Sequence, residues 1–206
     1  MYAIVEDNEI TKFINHPKSM VIGDVRYPAK IFQLWSTSEL NAIGIYEVVF
    51  NDSNKKDEKW YINTNQTYAF ADNTVTASYG TATPKAHADT LWTQADSDDG
   101  DLPDDKSVGD VKVEGLKTTL IRTLKSQVAG ILNNTDWYIT RNSEKSTAIP
   151  SAISTHRDAV RTKQAQMETA ITNASDTPAL ETLYTYTTDS DGVQSRPLGE
   201  LPTLES

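Results

Sequence analysis

An apolar side chain stands at every fourth position from residue 116 to residue 132: Leu116, Leu120, Leu124, Val128 and Leu132, with Ile121 and Ile131 beside them. Residues four apart share one face of an α-helix, so this spacing predicts an amphipathic helix over about 114–133 whose apolar stripe something must cover. Asn133-Asn134-Thr135-Asp136 stops it. A second helix is expected from Pro150, whose fixed φ suits a first helical turn, to about Ala174. Ile153, His156, Val160, Met167 and Ile171 lie on one face of it, with Ala152, Ala159 and Ala170 alongside. Two such helices joined by about 16 residues make a helical hairpin. Trp137 is expected to plug the gap where they diverge.

The chain upstream has a different period. Tyr2, Ile4 and Val5, the turn pair Asp7-Asn8, then Ile10, Phe13 and Ile14 read as a β-hairpin, and Gly23-Asp24 marks a turn between Val21-Ile22 and Val25-Tyr27. Ser36-Thr37-Ser38-Glu39 is a capping box that opens a helix of about two turns ending at Gly44. Ile45 to Phe50 is too continuously apolar for an exposed edge strand, and Trp60 to Ile62, Tyr68 to Phe70 and Val75 to Tyr79 continue the strand pattern. Between the two halves, residues 94–114 carry 8 acidic and 2 basic side chains, −6 of the chain's net −10. That is the composition of a self-repelling linker. After Pro178, Leu183-Tyr184-Thr185-Tyr186 is strand-like, with a turn at Asp191-Gly192. The expected fold class is α+β: a β-rich N-terminal docking domain over 1–93, an acidic linker over 94–114, then a helical hairpin with a short extended C-terminal tail over 115–206.

Chemistry is sparse. The absence of cysteine excludes disulfides, thiolate catalysis and cysteine-based metal sites. The acidic balance opposes a sequence-independent grip on nucleic acid, and no apolar run is long enough to span a bilayer. The N-terminus has neither the basic nor the apolar region of a secretory signal. Asp96-Ser97-Asp98-Asp99-Gly100-Asp101 resembles a calcium loop only loosely: its glycine falls one position early, and the twelfth position is Ser107 in place of a bidentate glutamate. His16, His87 and His156 lack partners at ligand spacing, and neither a nucleophile elbow nor a phosphate loop is present. The residues read as a protein that is no enzyme and carries neither cofactor nor metal. Arg141 and Glu144 are placed to pair across the helix connection, and Arg157 and Arg161 to hold a carboxylate or to stand in solvent.

Ile131-Leu132-Asn133-Asn134-Thr135-Asp136-Trp137, followed by Arg141, Glu144, Ile149-Pro150 and His156-Arg157-Asp158-Ala159-Val160-Arg161, resembles the C-terminal segment of tailed-bacteriophage tail proteins and tail-fibre assembly chaperones. The resemblance covers about residues 120–170, with His156 where the pattern usually has Tyr. Residues 31–46, Ile-Phe-x-Leu-Trp-Ser-x-x-Glu-Leu-x-x-Ile-Gly-Ile-Tyr, are similar to the opening of related tail-region proteins. The resemblance implies a structural component of a phage tail, at the baseplate or a fibre attachment point. Such a component is made in the bacterial cytoplasm, resides in the virion tail, and binds other tail or fibre proteins and copies of itself. A fibre-assembly chaperone is the alternative, and a receptor-binding module using Trp60, Tyr61, Tyr68 and Tyr79 a third. The expected interface is the helical stripe Leu116, Leu120, Leu124, Leu132, Val160, Met167 and Ile171, with its corner organised by Trp137.

Overall fold

Asp7 and Asn8 both adopt positive φ, 51° and 65°, which a two-residue hairpin turn requires of its central pair, and they fold β1 (Tyr2–Glu6) back on β2 (Glu9–Ile14). The computed structural model describes residues 1–204, in two compact units that divide between Thr83 and Pro84.

In the first unit, β3 (Met20–Ile22) and β4 (Val25–Tyr27) form a second hairpin turned at Gly23. A short helix α1 (Ile31–Leu34) precedes α2 (Thr37–Ala42), which starts at the expected capping box: the Glu39 N–H donates to Ser36 Oγ, and Glu39 Oε2 accepts from the Ser36 N–H at 2.7 Å. Gly44, at φ 79°, ends that turn, and a Cβ there would sit 2.7 Å from the Val5 carbonyl oxygen. β5 (Ile45–Asn51), β6 (Tyr61–Ile62), β7 (Gln66–Ala71) and β8 (Thr74–Tyr79) follow. The main sheet has the order β2-β1-β5-β8-β7, with β5 and β8 parallel and the other pairs antiparallel. The apolar run of β5 thus lies at the centre, as its composition requires. Ala3, Val5, Val48, Val75 and Ala77 are buried on one face, while Ile45 on the other packs with Ile31 and Leu40 of the short helices. The outer strands β2 and β7 approach each other, and the Phe13 and Tyr68 rings meet at 4.5 Å, so the sheet curls into a half-barrel.

The second unit follows the short β9 (Thr83–Pro84) at the division. β10 (Thr90–Leu91), α3 (Gln94–Asp98) and β11 (Val111–Val113) lead into α4 (Leu116–Asn133), α5 (Asp136–Lys145), α6 (Ser151–Asn173) and α7 (Thr177–Tyr184), with β12 (Thr187–Thr188) and β13 (Gln194–Ser195) last. Three expectations need correction. Residues 94–114 are not a free linker, because Asp96 closes a capping box with Thr93 and β11 pairs antiparallel with β10. Residues 84–93 belong with the helices instead of the β-rich unit. Asp89 caps the open start of α4, accepting from the Gly115 N–H at 2.6 Å and the Thr118 hydroxyl at 2.8 Å. Gly115 is required there, since a Cβ would run into the Ala88 carbonyl. The third correction concerns the tail: residues 177–184 are helical, not extended. Asp176 accepts from the Ala179 N–H at 2.8 Å, and Pro178 fits the first turn, where no N–H is needed. Only the hairpin at Gly192 matches the extended reading.

α4 and α6 pack antiparallel. Lys117 Nζ donates to the Thr172 carbonyl near one end, and Arg157 reaches the Leu132 carbonyl near the other. Leu124 and Val128 of α4 and Ile153, Val160, Met167 and Ile171 of α6 are buried within this unit. Leu124→Ala is expected to lower the unfolding free energy by about 2–5 kcal/mol, the cost of a cavity between packed helices, measured by denaturant titration.

Candidate protein interface at the helix corner

The turn from α4 to α5 is built around a buried cation. Arg157, on α6, is 7% exposed. Its Nη1 donates to the Leu132 carbonyl and to Thr135 Oγ1, both at 2.7 Å, and its Nη2 pairs with Asp136 Oδ1 at 2.8 Å. Leu132 is the last full turn of α4, and its carbonyl also accepts from the Thr135 N–H and hydroxyl. A guanidinium removed from water must be paired and hydrogen-bonded, and this one is held by three consecutive features of the turn. Asp136 also stands in the first turn of α5, where negative charge suits the helix dipole. Asn133-Asn134-Thr135-Asp136 therefore does end α4, but the expected loop is a third helix, and the two long helices are not joined as a simple hairpin.

Trp137 does not plug the corner. Trp137 is 52% exposed, and the corner is occupied by the Arg157 side chain with its partners Leu132, Thr135 and Asp136. Trp137 lies against Tyr138, with ring centroids 3.9 Å apart, and the Arg141 guanidinium sits 4.6 Å from the Trp137 ring and 5.4 Å from that of Tyr138. Arg141 Nε is enclosed and meets no hydrogen-bond acceptor. Arg141 is thus engaged with rings and forms no ion pair with Glu144. Ile139, also exposed, extends the apolar surface of α5. Beside the corner, a groove of about 520 Å³ is lined by Ala129, Gly130, Leu132, Asn133, Asp136 and Arg157. Arg161 stands in solvent near Asp158.

Leu124, Val160, Met167 and Ile171 are core residues covered by their own chain, and Leu116, Leu120 and Leu132 are half-buried. The facing stripes cover each other. Of the residues expected at an interface, Trp137 alone is exposed. Of the aromatics expected for receptor contact, Trp60 and Tyr61 are buried, whereas Tyr68 is exposed. His156 is buried on α6 and borders the segment Leu201–Leu204. Among the described residues, no group of three or more His, Asp or Glu is placed to hold a metal ion, and no helix is long and apolar enough to cross a membrane.

The acidic segment forms a second surface feature. Lys112 lies over the Trp92 ring at 4.3 Å and bonds Asp96, which also accepts from the Thr93 N–H and hydroxyl. These donors, Lys112 first and Thr93 next, hold the Asp96 carboxyl down at about 2, from an ordinary 3.8. Compared with family models, curated proteins and solved structures, the chain matches none.

Two outcomes follow. Arg157→Lys keeps one charge but cannot span Leu132, Thr135 and Asp136, so stability should fall by about 1–3 kcal/mol in denaturant titrations. Asp96 has a folded pKa below its unfolded one, so its stabilising contribution is full above about pH 4 and is lost as pH falls toward 2. The fluorescence change of Trp92, isolated by subtracting a Trp92→Phe variant, should follow that window, and Asp96→Asn should remove it.

Proposed function

We propose that this protein is a structural component of a bacteriophage tail, at the baseplate or a fibre attachment point, and that it acts by binding other tail or fibre proteins. One observation carries the reading: the residues that resemble the phage segment converge on one corner. Thr135, Asp136 and Arg157 lock its geometry, while Trp137 stands exposed against the half-buried Tyr138 and Arg141. Trp137 is exposed and is backed by the half-buried Tyr138 and Arg141, and Trp, Tyr and Arg are the residue types that dominate protein–protein binding energy. The surface for assembly is then α5, with the long stripes of α4 and α6 serving as its support. Copies of the chain are proposed to associate through this corner, and the place of action is the virion tail.

A fibre-assembly chaperone would use the same corner but leave before maturation. Mass spectrometry of purified particles of the encoding phage separates the two. A fixed copy number in the particle supports the structural component, presence in the lysate alone supports the chaperone, and absence from both overturns the reading. Trp137→Ala should leave the melting temperature nearly unchanged, because Trp137 is exposed, while lowering incorporation into particles.

A further inference from the structure

The ribbon formed by β10 and β11 turns its apolar side chains outward. Leu91, Val108, Val111 and Val113 are 45%, 48%, 42% and 57% exposed. The backbone beneath them is fixed: β10 pairs with β11, the Trp92 N–H donates to the Asp110 carbonyl at 2.9 Å, and the Gly109 N–H donates to the Trp92 carbonyl at 2.8 Å. Lys112, the one cation within β11, is spent on Trp92 and Asp96. Among the described residues no third strand joins the ribbon, so each strand keeps an open edge. Around it stand Asp98, Asp99, Asp101, Asp104 and Asp110, all exposed and none in an ion pair among the described residues.

An exposed apolar ribbon with open edges is a template for strand addition, and native proteins usually protect such an edge with lysine or a cover. Here the strands are short, their register shifts between Thr90 and Leu91, and the charge around them is negative. That charge decides the occupant. A second copy of the same ribbon would bring its own five unpaired aspartates against these five, and such repulsion is screened only beyond a Debye length of about 10 Å. Phosphate backbones and anionic lipid surfaces are repelled for the same reason. We infer that the β10–β11 ribbon docks a partner protein through a strand or surface that is apolar at its centre and carries Lys or Arg around it. The apolar centre supplies affinity, and the surrounding charges supply fast, salt-sensitive encounter and partner choice.

This inference rests on the assembly reading, yet it is tested apart from it, since the particle composition decides that reading and peptide binding decides the ribbon. The full chain is titrated against a labelled peptide that alternates valine and lysine, with a valine–glutamate peptide in parallel, by fluorescence anisotropy. Binding of the lysine peptide only is expected, weakening on added salt. Val111→Thr with Val113→Thr keeps strand propensity and should weaken binding roughly tenfold or more, about 1.4 kcal/mol. Asp104→Asn with Asp105→Asn alters no packed residue and should also weaken it, with an unchanged circular dichroism spectrum. Equal binding of both peptides, no binding, or binding indifferent to both variants overturns the proposal. A self-association that Val111→Thr with Val113→Thr abolishes, seen by light scattering, overturns it in favour of a second copy.

Discussion

The second unit depends on the demand of one buried charge. Arg157 is buried on α6, and a guanidinium in that position is tolerable only with its donors occupied. Its partners are the last turn of α4, the hydroxyl of Thr135 and the carboxylate of Asp136. Meeting that demand fixes where α4 stops, the angle at which α5 leaves, and the register of α4 against α6. Packing of Leu124 and Val128 against the apolar face of α6 supplies affinity between the helices, but apolar contact is non-directional, and the arginine adds direction.

That arrangement moves the surface of interest. Arg157 occupies the corner, and Trp137 lies exposed against the half-buried Tyr138 and Arg141. The stripes of α4 and α6 close on each other, while the first turn of α5 and, separately, the ribbon of β10 and β11 keep apolar side chains exposed. The two surfaces differ in chemistry: one is aromatic and cationic, the other aliphatic and ringed with aspartate.

The acidic segment shows how composition can mislead. Eight acidic groups in 21 residues repel one another, but a few specific bonds offset the repulsion locally. Asp96 gathers Thr93 and Lys112, Lys112 covers Trp92, and Trp92 bonds the backbone of Gly109 and Asp110. Only one of the aspartates is central to this fold. The others are left at the surface.

Features governed by a few neighbouring residues were legible without the fold. The turn at Asp7-Asn8, the capping box of Ser36 and Glu39, the left-handed turn at Gly44 and the period-four stripe of α4 all rest on bonds or sterics within a short stretch of chain, and the apolar run of β5 signalled an interior strand through its composition. The helix α7 was also written locally, in Asp176 and Pro178, but the strand-like run of Leu183 to Tyr186 masked it. Tertiary structure alone decided what Arg157 binds 22 and 25 residues away, which way Trp137 faces, and that β11 pairs with β10 across the aspartates. It also decided that the two helical stripes cover each other. A sequence specifies how much apolar surface an element carries, because that is a sum over its residues. Which neighbour covers that surface depends on contacts between distant segments, and those exist only once the chain has closed on itself.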